Sequence, residues 1–123
     1  KRRRVSTARA FLNPAKSRPN LEIKTNTLVC RVVVENKKAL GVELKGKGNQ
    51  SNKNYISANR EVIISAGAIN SPHLLQLSGI GSSELLKSNG VEVIHELGCE
   101  RENLRDHYAP RFCGRVKNIS TIN

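Results

Sequence analysis

The sequence is poor in the residues that usually fill a self-sufficient hydrophobic core. It contains no methionine and no tryptophan, and its two tyrosines and two phenylalanines make up only 3% of 123 residues. Aromatic side chains supply much of the packing area in cores, so we expect further polypeptide to complete the core of this chain. A chain of this length forms one domain at most.

Patterned cysteines and long apolar runs are also missing. Cys30, Cys99 and Cys113 form no CxxC pair and have no metal-ligand spacing with the three histidines. This predicts reduced thiols and no metal site. No apolar run approaches the length of a membrane span, and we expect no secretory leader. The expected location is the cytoplasm or the surface of a membrane.

Acidic residues are scarce, with 10 Asp and Glu against 21 Lys and Arg, which gives a net charge of +11. Charge alone favours a nucleic acid or an anionic surface as a partner. The basic residues are scattered, however, and only residues 1–4 form a tight block. We therefore do not expect nucleic acid as a partner, and a basic binding module is the alternative function.

The first half of the chain has the pattern of an antiparallel meander. "LVCRVVVE" (Leu28–Glu35) is rich in β-branched residues, and "ALGVELK" (Ala39–Lys45) returns after the turn residues "NKK". Tyr55–Ala58 is predicted as a further short strand. The intervening "GKGNQSNKN" is a polar loop.

The second half begins with a segment typical of a buried strand and then predicts two short helices. Val62, Ile63 and Ile64 are consecutive within Arg60–Ser65, as expected of a strand covered on both faces. Ser71 as N-cap and Pro72 at the first helical position predict a helix that Gly79 ends.

The second helix is predicted from Ser83 to about Asn89, with Glu84 in its first turn and Gly90 after its end. Val91–Ile94 is predicted as one more short strand. The expected fold class is α/β (α+β mixed), with an antiparallel meander, a buried strand and two short helices.

The junction at Ser65-Ala66-Gly67 joins the buried strand to the first helix. A glycine there lets a ligand approach the backbone, and ligands of open α/β sheets bind beyond the carboxyl ends of strands. A plain strand–turn–helix corner would use glycine in the same way. The residues themselves leave both interpretations open.

The stretch "GAINSPHLLQLSGIG" (Gly67–Gly81) resembles the second signature of the glucose–methanol–choline (GMC) family of FAD-dependent oxidoreductases. That signature has a small residue pair, Ser or Thr, Pro or Ser, two aliphatics, and then Ser-Gly-aliphatic-Gly. The matching residues are Gly67, Ala68, Ser71, Pro72, Leu74, Leu75, Ser78, Gly79, Ile80 and Gly81. "STARAFLNPAKSRPNLEI", "REVIISAGAINSP" and "NLRDHYAPRF" resemble choline dehydrogenase-like members, so the resemblance covers nearly the whole chain.

This resemblance implies a two-part protein, with an FAD-binding domain and a substrate domain over the flavin. Residues 1–123 would be a single partial domain from the centre of the FAD-binding domain, and 104–123 would lead into the substrate domain. The implied activity is oxidation of the CH–OH group of an alcohol, with hydride passed to FAD. The implied partners are the remainder of the same polypeptide and a small-molecule alcohol.

The resemblance also implies which residues lie near FAD. One position matches a backbone contact at the adenine end, three match the turn near the cofactor, and three belong to the family's "NLxDH" segment. In that order, the predicted cofactor-binding residues are Val29; Ser65, Ala66 and Gly67; and Asn103, Asp106 and His107.

Two decisive parts of the family's site are not in this sequence. The GxGxxG that binds the FAD pyrophosphate at a helix start has no counterpart here, and the family's catalytic histidine lies near its C-terminus. No catalytic residue is therefore predicted. We expect His73 at the surface or in packing contacts, His95 exposed, and His107 in a structural role beside the cofactor region.

One segment departs from the family pattern. Before "NL" the family has a proline–glycine-rich turn, whereas this sequence reads "LGCERENL" (Leu97–Leu104) with Cys99 and Arg101 in place of glycines. If this loop requires a positive φ, Arg101 would cost about 1–3 kcal/mol in strain. A non-functional gene remnant is a further hypothesis consistent with this departure.

Overall fold

The computed structural model describes residues 4–46, 54–98 and 104–112, together with Gly114 and Lys117. The chain packs as two compact units, Lys1–Ser65 and Ala66–Asn123. Both helices and strands are present, which confirms the predicted mixed fold class. The prediction that 1–123 forms a single partial domain stays a prediction.

The first unit opens with a helical segment and continues into a three-stranded sheet. A π-helix covers Ala8–Leu12 and leads directly into a short α-helix, α1 (Asn13–Ala15). Phe11 on the π-helix is 75% exposed. An exposed phenylalanine of this kind is an apolar surface that further polypeptide could cover.

The sheet is the predicted antiparallel meander. Its strands are β1 (Val29–Glu35), β2 (Lys38–Leu44) and β3 (Asn54–Ser57), in the order β1-β2-β3. Asn36 and Lys37 both have positive φ, as in the two-residue hairpin turns whose twist matches that of paired strands. The predicted turn at "NKK" is therefore confirmed.

Two β-bulges interrupt the pairing of β1 with β2, the first in β1 and the second in β2. The register shifts between Val29 and Arg31 and again between Val33 and Val34. Because each bulge places an extra residue on one strand, the side-chain alternation is interrupted there. Among the described hydrophobic residues, only Val32 in β1, Leu44 in β2 and Leu86 in the second unit are fully buried.

Gly41 in β2 lies under the side chain of Tyr55. A Cβ at this glycine would be 2.2 Å from the Ile56 carbonyl oxygen and 2.7 Å from the Tyr55 hydroxyl. The Tyr55 O–H also donates a hydrogen bond of 2.8 Å to the Leu40 carbonyl oxygen. The close approach of β3 therefore requires glycine at this position.

We predict that Gly41→Ala lowers the free energy of unfolding of the sheet by about 3 kcal/mol, because the added methyl group meets a backbone atom that cannot move away. Urea denaturation of the chain measures this change. Gly98→Ala is the control, since a Cβ at Gly98 meets nothing within 4 Å. Equal midpoints for the two variants would show that β3 does not pack over Gly41.

The link between the units differs from the predicted buried strand. The segment 61–65 has no regular secondary structure, and the described residues provide no strand that pairs with it. Ile63 is 77% exposed. A strand requires a hydrogen-bonded neighbour, and the apolar sequence of Val62–Ile64 cannot supply that neighbour by itself.

The second unit contains helix α2 (Gly67–Leu77), strand β4 (Ile80–Gly81), helix α3 (Ser83–Ser88) and strand β5 (His95–Glu96). The two short strands are parallel, so this unit is a small β-α-β arrangement preceded by α2. The predicted second helix is confirmed. The predicted strand at Val91–Ile94 was placed too early, because pairing begins at His95.

Helix α2 begins earlier than the sequence predicts. Ser71 and Pro72 were expected at the helix start, but Pro72 lies inside the helix and Ala66 is the N-cap residue. The end was predicted correctly: Ser78 caps the helix, and Gly79 follows with a φ of +81°. The helices within the described part of the chain are all too short or too polar to cross a bilayer.

Candidate functional site

The candidate site is the turn at Ser65, Ala66 and Gly67, all of which are exposed. Gly67 has a φ of +90°, and a Cβ built on it meets nothing within 4 Å. A left-handed φ is costly for residues other than glycine. Glycine therefore makes this turn possible and also leaves its outer side open to a ligand.

A hydrogen bond from inside α2 holds this turn. The Ala66 N–H donates to the Ser71 Oγ over 3.1 Å, and the Ser71 side chain is half-buried. The sequence predicted Ser71 as the N-cap, which is wrong because Ser71 lies inside α2, and its hydrogen bond to Ala66 was not predicted. The sequence feature that could have indicated this bond is the Ser or Thr of the family signature, here Ser71, four residues after Gly67.

The start of α2 can accept a negatively charged or hydrogen-bond-accepting group. The first amides of any α-helix have no intrahelical carbonyl partner, and the helix dipole is positive at this end. Helix α2 has no acidic residue in its first turn, and its N-cap residue, Ala66, provides no side-chain cap for the first amides of the helix. The open glycine and these amides together fit a cofactor with anionic and carbonyl groups, as FAD has.

Val29, the predicted contact at the adenine end of FAD, is the first residue of β1 in the first unit. It is half-buried and pairs with Leu44. In the described sheet β1 is an edge strand, so one row of its backbone N–H and C=O groups is not used by β2. A backbone contact from Val29 is compatible with this position, and its role stays a prediction.

The "NLxDH" residues lie in the second unit, in an exposed segment. The His107 N–H donates to the Asp106 Oδ1 over 2.8 Å, and both residues are exposed. Asn103 lies outside the described residues, as do Cys99 and Arg101 of the departing loop. The assignment of Asp106 and His107 to the cofactor region stays a prediction.

His73, His95 and Cys30 form no second site within the described part of the chain. His73 and His95 are exposed, as expected, and Cys30 is a free, half-buried thiol. Within the described ranges, no group of three or more His, Cys, Asp or Glu residues is arranged to hold a metal ion. The turn before α2 is thus the site with the clearest ligand-facing geometry.

Comparison with known proteins identifies the family. The family model described as "GMC oxidoreductase" matches residues 1–109. The oxygen-dependent choline dehydrogenase of Cronobacter sakazakii is 49% identical over 108 residues, which cover 87% of this chain and 19% of that protein. The oxygen-dependent choline dehydrogenase of Escherichia coli (strain K12 / DH10B) is 46% identical over 105 residues, with 85% and 19% coverage.

Solved structures agree with this relationship. A FAD-dependent oxidoreductase from Chaetomium thermophilum superimposes with a TM-score of 0.67 at 33% identity, over 73% of this chain and 15% of that chain. Pyridoxine 4-oxidase, given as from Mesorbium loti, superimposes with a TM-score of 0.68 at 31% identity, over 77% and 18%. The chain spans about a fifth of the length of the curated relatives it matches.

These matches extend far beyond the signature at Gly67–Gly81 and include the meander and the segment that precedes it. They confirm the resemblance identified from the sequence. The open, glycine-based turn before α2 lies at the start of that signature. The chain belongs to the GMC oxidoreductase family.

Proposed function

We propose that this chain is part of an FAD-dependent oxidoreductase that oxidises the CH–OH group of a small alcohol, with choline as the first candidate substrate. The observation that carries this proposal is the 49% identity to an oxygen-dependent choline dehydrogenase over 87% of the chain. The structural neighbour named as an FAD-dependent oxidoreductase supports the cofactor. The basic binding module has no comparable support.

The residues that would hold FAD are the turn residues Ser65, Ala66 and Gly67, the backbone of Val29, and the segment with Asp106 and His107. FAD, when bound, supplies the acceptor for the hydride that leaves the alcohol carbon. The proposed role of this chain is to bind FAD and to orient it. Its exposed glycine turn gives the cofactor access to backbone amides that a side chain would otherwise cover.

The proton of the alcohol requires a base that we do not assign to this chain. His73, His95 and His107 are all exposed, and none of them matches the position of the family's catalytic histidine. We propose that the base lies elsewhere in the polypeptide, which in the curated relatives is about five times as long as this chain. The chain alone should therefore show no alcohol oxidation.

The remainder of the polypeptide is also the proposed partner of the exposed apolar residues. Phe11, Ile63 and Ile69 are 75%, 77% and 78% exposed in the described structure. Full burial of each such side chain would contribute about 2 kcal/mol. In each unit, such side chains are apolar surface that the rest of an oxidoreductase could cover.

Anaerobic reduction of the bound flavin tests the substrate class. We expect choline to bleach the oxidised-flavin absorption of the full-length protein, because its CH–OH group can give up a hydride. Tetramethylammonium has the same cationic head group without the hydroxyl and should leave the spectrum unchanged. Failure of choline and of every simple primary alcohol to reduce a correctly bound flavin would contradict the proposed activity.

A further inference from the structure

The hydrogen bond between Ala66 and Ser71 spans the left-handed glycine of the turn. Ala66 has φ −87° and ψ 4°, a sparsely populated region of backbone space, and Gly67 follows at φ +90°. Glycine in this sequence context can adopt several other conformations. The Ser71 Oγ, 3.1 Å from the Ala66 nitrogen, selects one of them.

The orientation of this hydroxyl is unusual for a serine within a helix. Such serines commonly donate to the carbonyl of the preceding turn, as Ser78 does to the Leu74 carbonyl oxygen over 2.6 Å. Ser71 instead accepts a hydrogen bond from a residue before the helix. Its bond therefore fixes the approach to the helix, where the cofactor-facing turn lies.

We infer that Ser71 is a positioning residue for FAD binding. Its hydroxyl holds the Ala66 amide and so presents the open face of Gly67 in one conformation before the cofactor arrives. This inference rests on the proposed function. The gain is preorganisation: a turn that is already in its bound conformation loses less conformational entropy when the ligand binds.

Three substitutions at Ser71 separate the effect of losing the hydroxyl group from the effect of changing the size of the side chain. In apoprotein prepared from the full-length polypeptide, we expect Ser71→Ala to raise the Kd for FAD about tenfold, the value of one typical hydrogen bond. Ser71→Thr keeps a hydroxyl on Cβ and should stay close to the original Kd. Ser71→Cys keeps the size but has a weak acceptor, and it should resemble alanine.

Ser88→Ala is the matched control. Ser88 is also a helical serine of the second unit, although it is more exposed than Ser71, and its Oγ donates to the Leu85 carbonyl oxygen over 2.9 Å. Removing this hydroxyl deletes only local hydrogen bonds, to Leu85 and from the Asn89 side chain, and does not touch the turn at Gly67. We expect the Kd for FAD of this variant to equal that of the unmodified protein.

Two measurements distinguish positioning from plain structural support. Fluorescence titration with FAD gives the Kd, and thermal unfolding with and without FAD gives the stabilisation by the ligand. A positioning role predicts that Ser71→Ala reduces the rise in Tm that FAD produces. A lower Tm of the apoprotein with an undiminished rise would show a structural role and would overturn the inference.

The outcomes also separate this inference from the proposed function. If the unmodified full-length protein binds no FAD, the proposed function fails. If it binds FAD and Ser71→Ala binds equally well, the inference alone is overturned, as it is if Ser71→Thr binds as weakly as alanine. Should Ser71→Ala fail to fold, Ser71→Cys decides, and an unchanged Kd for that variant overturns the inference.

Discussion

Replacing Gly79 with alanine is expected to destabilise the second unit by about 4 kcal/mol. Gly79 has a φ of +81°, which costs a residue with a Cβ about 1–2 kcal/mol. The new methyl group would lie 2.5 Å from the Glu92 carbonyl oxygen and 2.9 Å from the Ile94 Cγ1. Overpacking of this kind adds about 1–3 kcal/mol.

The same substitution would also disturb the pairing of β4 and β5. The Gly79 carbonyl oxygen accepts hydrogen bonds from Ile94 N–H and His95 N–H, at 2.8 and 3.1 Å. A backbone shift that relieves the clash would lengthen these bonds. Thermal unfolding of the full-length protein, read alongside hydrogen exchange at His95, measures both effects.

Gly90→Ala is the matched control for Gly79→Ala. Gly90 has a φ of +68°, and a Cβ there meets nothing within 4 Å, so only the backbone term of about 1–2 kcal/mol remains. The difference in lost stability between the two variants measures the contribution of the close packing around Gly79. If both variants lose the same stability, the contact with Ile94 and Glu92 does not exist in the folded protein.

Replacing Gly67 with valine is expected to lower the affinity for FAD on the order of a hundredfold, equivalent to about 3 kcal/mol. A β-branched residue strongly resists a φ of +90°, so the turn would leave its present conformation. In that conformation the valine side chain would also fill the open space in front of the turn. Both effects act against a ligand that approaches the backbone.

Gly90→Val controls for the backbone strain of Gly67→Val. Both glycines have positive φ and open space where a Cβ would stand, but Gly90 lies after α3, outside the predicted cofactor-binding residues. We expect both variants to lose similar stability and only Gly67→Val to lose FAD, as measured by the flavin content of purified protein. Full flavin content in Gly67→Val would exclude this turn from the cofactor site.

The meander could be predicted because its determinants are local. The β-branched run of β1 favours an extended strand, and Asn36-Lys37 can adopt the positive φ values of a tight hairpin turn. The bulges in the pairing of β1 with β2 could not be predicted, since they depend on which residues of the two strands lie opposite one another. Helix α3 was predicted for a similar local reason, because Ser83 begins it, Glu84 lies in its first turn and Gly90 follows it.

The predicted beginning of α2 was wrong because the helix-start signal at Ser71-Pro72 does not include the hydrogen bond between Ala66 and Ser71. Ser71-Pro72 is a good helix start on its own, but the Ser71 hydroxyl reaches back to Ala66 and the helix begins at Gly67. The placement of β5 was wrong because its register is set by the Gly79 carbonyl. Neither contact can be derived from the hydrophobic pattern.

The candidate site was identified by the family pattern rather than by its physical chemistry. Glycine at position 67 suited a ligand-facing turn and a simple corner equally well. The structure shows a left-handed, unobstructed glycine beside an uncapped helix start, which fits the first interpretation. The roles of Val29, Asp106 and His107 depend on the family pattern alone.

The most direct test is the absorption spectrum of the purified full-length polypeptide that contains this chain. We predict the spectrum of protein-bound oxidised flavin, with FAD as the chromophore and in an amount stoichiometric with the polypeptide. Gly67→Val in the same preparation should be folded and largely colourless. A correctly folded, unmodified protein that carries no flavin and takes up none from added FAD would contradict the proposal.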